Sequence, residues 1–357
     1  MDSLSMYLKL SYSHLNMKSF YIWTSYPSLM NLIKILIIAV LPVSFLLAII
    51  YGEVQIPFTE LLHPNHAFSI ILYRIRLPTV VTAALVGIIL SVSGLIMQNL
   101  LRNPLVDPYI SGTSSGGAFG AVLTYYLLAF NLPLSSLIYI QPIIAFVFAL
   151  ISTIITVVIG KRDGVYGLVI GGVVISYVFS SITTILVTIL EEKYPQIPPL
   201  IFWLLGEVSV VGWRPVIVLS LLTAFLLFLS LKMARLIDLV SISDEISYTH
   251  KIDPHKFRIL WLIIISVVVS YTVSVVGIIG FIGILIPHLV RKGVGGNLNS
   301  LIFYSSLLGA TVMLISNIIS HGVLGTILPI TPITALMTSP VLISILVKLN
   351  ASERIEG

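Results

Sequence analysis

The sequence predicts an all-α polytopic membrane protein, and three observations carry that expectation. The chain has 357 residues, of which 57% are hydrophobic and only 9% charged, whereas a soluble globular chain is about a quarter charged. The charges are also unevenly spread. Residues 77–101, 164–190, 215–231, 259–290 and 293–347 contain no Asp, Glu, Lys or Arg, and residues 103–160 contain only Asp107. A helix crosses a bilayer with roughly 20 apolar residues, so 293–347 alone suffices for two passes. Strands of a membrane barrel would alternate polar and apolar residues over about ten positions, and these runs do not.

Composition also removes chemistry. With no cysteine, the chain has no disulfides, thiolate metal sites or cysteine nucleophiles. Its net charge of +5 comes from basic residues in membrane-flanking loops, so nucleic acid is not an expected partner and the lipid bilayer is.

Taken in order, residues 1–30 are mildly polar and lack a small-residue cleavage site behind a short apolar core, which reads as an N-terminal cytoplasmic tail rather than a cleaved signal. Met17 and Met30 are alternative starts. Residues 31–350 then read as one transmembrane domain. Its first span is about 32–50, followed by a loop with Glu53 and Glu60 and by Tyr73-Arg74-Ile75-Arg76-Leu77-Pro78. Pro78 suits the first turn of the second span, about 78–101, because its missing N–H costs nothing there.

That span breaks at Arg102-Asn103-Pro104, and Asp107-Pro108 is expected to open the third, about 109–130. Gly112, Gly116 and Gly120 recur at intervals of four, which puts them on one helix face where another backbone can approach. A fourth span (137–159), a charged turn at Gly160–Gly164 and a fifth span (165–190) with Gly167 and Gly171 follow. The sixth is about 215–231. Residues 232–258 form the one long charged interior segment, with apolar positions suited to short amphipathic helices and a turn at Asp253-Pro254. The seventh span is about 259–279, a short eighth helix ends near Pro287–Lys292, and the ninth and tenth are about 299–320 and 331–348.

Ten spans with both termini cytoplasmic satisfy the positive-inside rule. Inside segments then hold fifteen basic residues, and outside segments hold four: Arg74, Arg76, Lys193 and Arg214. The same model puts 232–258 in the cytoplasm. A shift of 183 residues aligns Ser91-Val92 with Ser274-Val275, Gly94 with Gly277, Pro104 with Pro287 and Gly112 with Gly295. Spans two to five and seven to ten would then be inverted repeats, a common transporter layout.

No phosphate-cradling G-x-x-x-x-G-K-[ST] occurs, and within the spans only His321 is ionisable, near the outer end of the ninth. A transporter driven by an ion gradient usually needs intramembrane ionisable groups; that class is the alternative. Energy is expected instead from a partner acting on the charged segment, where Leu239, Asp244, Glu245, Ser247 and His250 are the candidate coupling residues and Asp244 and Glu245 the charged contacts. A solvated loop with no partner is the bland reading.

Several motifs together resemble the FecCD-type permease subunits of ABC importers for ferric siderophores, haem and cobalamin. The resemblance covers roughly residues 72–347 and rests on Arg76-Leu77-Pro78, Gly87 through Ser93-Gly94 to Gln98, Arg102-Asn103-Pro104-Leu105-Val106-Asp107-Pro108, Ser111–Ala118, Phe202–Gly206, Gly280–Arg291, Leu328-Pro329-Ile330 and Ser339-Pro340. It implies no enzymatic activity and no cofactor or metal in this chain. It implies a homodimer in the cell membrane with a translocation path between the copies, two ATP-binding subunits on the cytoplasmic loops, and an extracytoplasmic substrate-binding protein. An iron(III) chelate is the first expected substrate, with cobalamin, haem and oxyanions behind it.

In the family, basic residues at the start of the second span and the outer end of the ninth pair with the binding protein. Arg76 stands in the matching place, while Thr79 replaces a frequent arginine, and Asn317 and His321 replace a frequent Asp and Arg. Arg74, Arg76 and His321 are therefore docking candidates, with interfacial snorkelling the competing reading for the two arginines. Gly164, Val165 and Tyr166 fall where the family narrows its cytoplasmic gate. Glu207 stands where a small neutral residue is usual; it meets substrate, meets the binding protein, or is merely solvated. Gly94, Pro104, Gly112, Gly116, Gly120, Gly167, Gly171, Gly277 and Pro287 read as helix-packing positions, some of which would also let helices slide. Pro287-His288 reads as a helix corner or, less simply, as a metal ligand.

Overall fold

The computed structural model describes residues 27–62, 64–128, 137–193, 204–323 and 326–340. The expected tail up to residue 26, the turn at 129–136, Phe202-Trp203 and the end of the tenth span lie outside them. Among the described residues the regular structure is all helical, with no strand. Helix α1 is Pro27–Ile50, α2 is Phe58–Leu62 and α3 is His66–Ile70, which runs through a π-helical turn (Ile71–Arg76) into α4, Leu77–Leu100. Then follow α5 (Thr113–Leu128), α6 (Leu137–Gly160), α7 (Gly164–Lys193), α8 (Arg214–Lys232), and the short α9 (Ala234–Ile242) and α10 (Asp244–Thr249). Helices α11 (Pro254–Val276), α12 (Ile282–Gly293), α13 (Leu298–Ile318, with a π-helical turn Ile319–Val323) and α14 (residues 330–340) complete the order.

Seven of these helices are long and apolar enough to cross a membrane: α1, the continuous His66–Leu100, α6, α7, α8, α11 and α13. The chain is a multi-pass helical membrane protein. α12, at 12 residues, is too short to span alone, and α5 is described for 16 residues, up to Leu128. The third span also begins later than the Asp107-Pro108 signal suggests. The Asp107 carboxylate accepts the Tyr109 N–H at 3.0 Å and the Asp107 carbonyl accepts the Ile110 N–H, so residues 107–110 close a local turn. Gly112 then adopts φ 78° before the helix starts at Thr113. Gly112 is thus a turn residue, needing the left-handed region that glycine enters freely, and not a member of the helical face.

Close backbone packing sets the core. A Cβ on Gly87 would lie 2.2 Å from the Gly309 carbonyl oxygen, and one on Gly94 2.0 Å from that of Gly283, so α4 touches α13 and α12 backbone to backbone. Gly116 and Gly120 stand in the same relation to the Phe148 and Ile144 carbonyls of α6. Without a hydrophobic drive between helices in lipid, such small-residue contacts carry the association. α4 packs along α13 and α12, while α11 packs along α6 and α5.

The residues of the 183-residue echo differ in local conformation. Gly94 is inside α4, but Gly277 ends α11 at φ 71°; Pro104 lies in a turn, but Pro287 lies inside α12. Gly112 and Gly295 both have positive φ.

Candidate functional site

Three places in this bundle have side chains arranged for more than packing: the basic end, a helix break at membrane depth, and the opposite end. The exposed face of α7 joins them.

The basic end gathers the turns after α4, α6, α8 and α12. Asp244 opens α10, with Ser243 as its N-cap. Its carboxylate accepts Arg258 through both oxygens, at 3.0 and 2.6 Å, and Arg102 at 2.5 Å. The Arg258 side chain is only 3% exposed, and its Nε–H donates to the Leu100 carbonyl at 2.8 Å. Arg258 holds the Asp244 carboxyl below the usual aspartate range. Glu245, the next residue, is exposed and accepts the Ser243 hydroxyl. Ser247 is buried and donates to the Ser243 carbonyl at 2.8 Å, while Leu239 is half-buried and His250 exposed. The two adjacent acids that the sequence treats alike are therefore placed differently: Asp244 is held by two arginines of the fold, with its side chain still 38% exposed, and Glu245 faces solvent.

Nearby, Gln98 donates to the Gly283 and Val106 carbonyls at 2.9 and 3.2 Å and accepts from Arg291 at 2.6 Å. Part of Asp107 remains accessible, yet the corner desolvates its carboxyl and pushes it up to about 6. His288 is half-buried, and no group of three potential ligands that could hold a metal occurs among the described residues.

The break lies between α11 and α12, where residues 277–281 are not helical. Backbone polar groups at membrane depth must find partners inside the protein, and here they do. The Tyr109 hydroxyl donates to the Ile279 carbonyl at 3.2 Å and accepts the Ile279 N–H at 3.4 Å. Thr331 donates to Ile278 O (2.7 Å) and accepts Gly280 N–H (3.2 Å), Thr334 donates to Gly280 O (3.0 Å), and Glu207 N–H donates to Val276 O (2.9 Å). Glu207 therefore enters through its backbone, and its residue is half-buried. The start of α14 donates in turn to the Leu205 and Gly206 carbonyls.

At the opposite end, both π-helical turns carry the charged residues. One extra residue per turn re-aims side chains, which is why such turns recur at functional positions. Arg76, 9% exposed, donates to the Tyr51 and Val54 carbonyls at 2.8 and 2.7 Å. His321 has Nδ1 3.1 Å from Glu53 and Nε2 3.1 Å from the Val208 carbonyl. Thr79 bonds both backbone groups of Val210. These residues tie the 51–56 loop and the 205–213 segment onto α4 and α13. Arg74 is exposed.

Helix α7 buries Leu168, Gly171, Gly172, Ile175 and Phe179 on one side. Its other side exposes Tyr166, Ile170, Tyr177, Ser180, Ser181, Thr184 and Thr188. Gly164 starts the helix at φ 63°, with Val165 half-buried. A Cβ on Gly167 would lie 2.5 Å from the Gly160 carbonyl, so α6 and α7 cross closely there, while Gly171 makes an ordinary contact with Thr156. A shallow groove runs along this crossing, lined by Ile159, Asp163, Tyr166 and Val174.

Sequence reasoning singled out Gly164–Tyr166 but not the hydroxyls further along α7. It quoted Arg102 and Gln98 only within motifs, and passed over Arg258, Tyr109, Thr331 and Thr334. A lone basic residue at the start of an apolar span and a tyrosine between Pro108 and Ser111 were the available signals.

The comparisons with known proteins agree with this layout. Residues 38–348 match the model of the FecCD transport family. The chain belongs to that family. It is 33% identical over 277 residues (77% of this chain, 81% of the relative) to the "Probable iron chelatin transport system permease protein" of Helicobacter pylori strain J99. It is also 30% identical to the hemin transport system permease protein HmuU of Yersinia pestis, covering 77% of this chain and 83% of that one. To the cobalamin import system permease protein BtuC of Halobacterium salinarum it is 32% identical over 76% of this chain and 72% of the relative. Among solved structures it is similar to a metal-chelate type ABC transporter in an inward-facing conformation, with TM-score 0.74 and 26% identity over 90% of this chain and 99% of that one. The FecCD chain described here is thus a membrane-spanning permease of ABC-importer type.

Proposed function

We propose that two copies of this chain form the path of an importer for an iron(III) chelate, with the exposed face of α7 lining that path. The observation that carries the reading is the row of exposed hydroxyls on a helix uncharged from Gly164 to Leu190: Tyr177, Ser180, Ser181, Thr184 and Thr188, of which Thr184 and Thr188 also donate to the Ser180 and Thr184 carbonyls at 2.9 and 3.0 Å. Lipid offers the Tyr177, Ser180 and Ser181 hydroxyls no partners, whereas a water-filled path does. Tyr166, Val165 and Gly164 at the start of the same helix form the gate at the basic end. The reciprocal packing of α4 on α13 and of α11 on α6 supports the inverted repeat and a count of ten spans.

The basic end faces the cytoplasm, as do both termini, and the assembly sits in the cell membrane; the surplus of basic residues at that end supports this orientation. Helices α9 and α10 receive the two ATP-binding subunits, with exposed Glu245 and His250 and half-buried Leu239 as contacts. An extracytoplasmic binding protein docks at the other end on exposed Arg74. Arg76 and His321 act there by fixing the 51–56 loop and the 205–213 segment. The ATP hydrolysis belongs to the partner, so the chain itself is not an enzyme. The iron-chelate, hemin and cobalamin relatives support a chelate or tetrapyrrole cargo, and a molybdate relative keeps oxyanions behind them.

Uptake into vesicles holding the chain with its ATPase, supplied with the binding protein and labelled ferric hydroxamate, tests the reading. Accumulation that requires ATP is expected. Accumulation driven by a proton or sodium gradient without ATP would overturn it.

A further inference from the structure

We propose that Arg102, Asp244 and Arg258 form the link that carries movement of the α9–α10 segment into α4 and α11, with Asp244 as an internal positioning residue. The inference rests on the reading that α9–α10 receives the ATPase. Three segments distant in sequence meet at one carboxylate. Arg258, at the start of α11, takes Asp244 in a bidentate grip at 2.6 and 3.0 Å and donates to the carbonyl of Leu100, the last residue of α4. Arg102, just beyond α4, reaches the same Asp244 oxygen at 2.5 Å and donates to the Ser241 and Val240 carbonyls at 3.0 and 2.8 Å. The polar connections between the end of α9, the start of α10 and the two spans are therefore directional.

The chemistry suits a mechanical joint. Paired, charge-assisted bonds fix an angle as well as a distance, which apolar contact does not. α9 otherwise rests on the bundle through Ala234, Ile237 and Val240. Arg258 is almost fully buried, so Asp244 cannot turn outward toward a partner without stranding a buried cation, a costly state. Arg102 also sits at φ 51°, a left-handed conformation that a non-glycine residue holds only where the surroundings enforce it. The link continues inward, because Gln98, one turn before the corner, joins α4 to Gly283 and Arg291 of α12. Among the described residues the Glu245 carboxylate accepts a side-chain hydrogen bond from Ser243 but none from Arg102, which attracts it only at a distance, and this separates the two acids: Glu245 for the partner, Asp244 for the joint.

The decisive experiment uses the complex of this chain with its ATPase in vesicles. The labelling rate of Ser181→Cys by a water-soluble thiol reagent is read with and without ATP and vanadate. Arg102→Ala is expected to leave ATPase capture and basal ATP hydrolysis intact while shrinking the nucleotide-dependent change about 2- to 30-fold, the range for mutations along coupling networks. Arg258→Lys, which keeps the charge but loses the bidentate grip, is expected to fall between. A full-sized response in Arg102→Ala overturns the link and leaves the importer reading standing. Loss of ATPase capture by a folded Arg102→Ala chain overturns it too, since Arg102 would then be a contact residue. No response in the unaltered chain defeats the importer reading beneath it.

Discussion

Helices α7 and α8 run between the same two ends of the bundle, carry no charge in their interiors, and each bury one side against it. Their free sides differ. α8 exposes Ile217, Val218, Leu221, Phe225, Phe228 and Leu231, and it turns Thr223 and Ser230 inward, where each donates to the carbonyl four residues back. α7 also exposes apolar residues (Val173, Val174, Val178, Ile182 and Ile185), but it adds Ser180, Ser181, Thr184 and Thr188 beside Tyr166 and Tyr177, with Thr184 and Thr188 likewise donating to the carbonyl four residues back. Mean hydropathy does not separate them. The lesson is that mean hydropathy decides whether a helix enters the membrane, and the placement of a few hydroxyls decides what its free face meets.

The largest expected effect comes from filling each free face. Ser181→Trp or Thr184→Trp should reduce ATP-dependent uptake to near background while the chain still assembles, because the bulk projects into the path. Leu221→Trp on α8 should leave uptake within about two-fold, since a surface change far from packed features costs roughly 0.5 kcal/mol or less. Equal losses at both helices would break the comparison.

A second change tests the buried side of α7. A Cβ on Gly172 would lie 1.8 Å from the Ile110 carbonyl, against the corner between α4 and α5. Gly172→Ala should lower stability by about 1–3 kcal/mol, the usual cost of overpacking, read as the thermal unfolding midpoint in detergent. Ala224→Gly on the exposed side of α8 should cost only about 1 kcal/mol through helix propensity.

The smallest effect is at the corner itself, where α7 leans. Asp107 has its carboxyl raised from 3.8 to about 6, chiefly by desolvation. A raised acid binds its proton more tightly when folded, so this group lowers stability as pH climbs from about 4 to about 6 and has a constant effect above. Asp107→Asn keeps an acceptor for the Tyr109 N–H. It should therefore raise the unfolding midpoint at pH 7 and lose that advantage as pH falls to about 4. An advantage independent of pH would show that the carboxyl is not desolvated.

Much of this was legible in the sequence, for a physical reason. The absence of charge over long runs fixes the spans, and the basic turns fix which ends lie together. The family motifs mark the corner at Arg102–Pro108 and the segment at Gly280–Arg291. What stayed hidden depends on partners far along the chain. Asp244 looks like a surface acid until Arg102 and Arg258, 142 and 14 residues away, are brought onto it. Nothing beside Arg76 in the sequence shows that its guanidinium donates to the Tyr51 and Val54 carbonyls, 25 and 22 residues away. Tyr109 stands out only as a tyrosine between Pro108 and Ser111, and its role, pairing the backbone of a break 170 residues away, depends on the fold. The start of α5 was misjudged for a local reason: Asp107-Pro108 can open a helix or close a turn, and the Tyr109 N–H chose the turn.

The absence of cysteine allows the central claim to be tested without removing native thiols. Single cysteines at Ser181 and Thr184 on α7, and at Leu221 and Phe225 on α8, would be exposed in membrane vesicles to a water-soluble, membrane-impermeant thiol reagent. An α7 face that lines a path should label readily in ATP-free vesicles and change its rate with ATP, while the α8 positions stay unlabelled. Unlabelled α7 positions beside unlabelled α8 positions would mean that both faces lie in lipid, and would contradict the account.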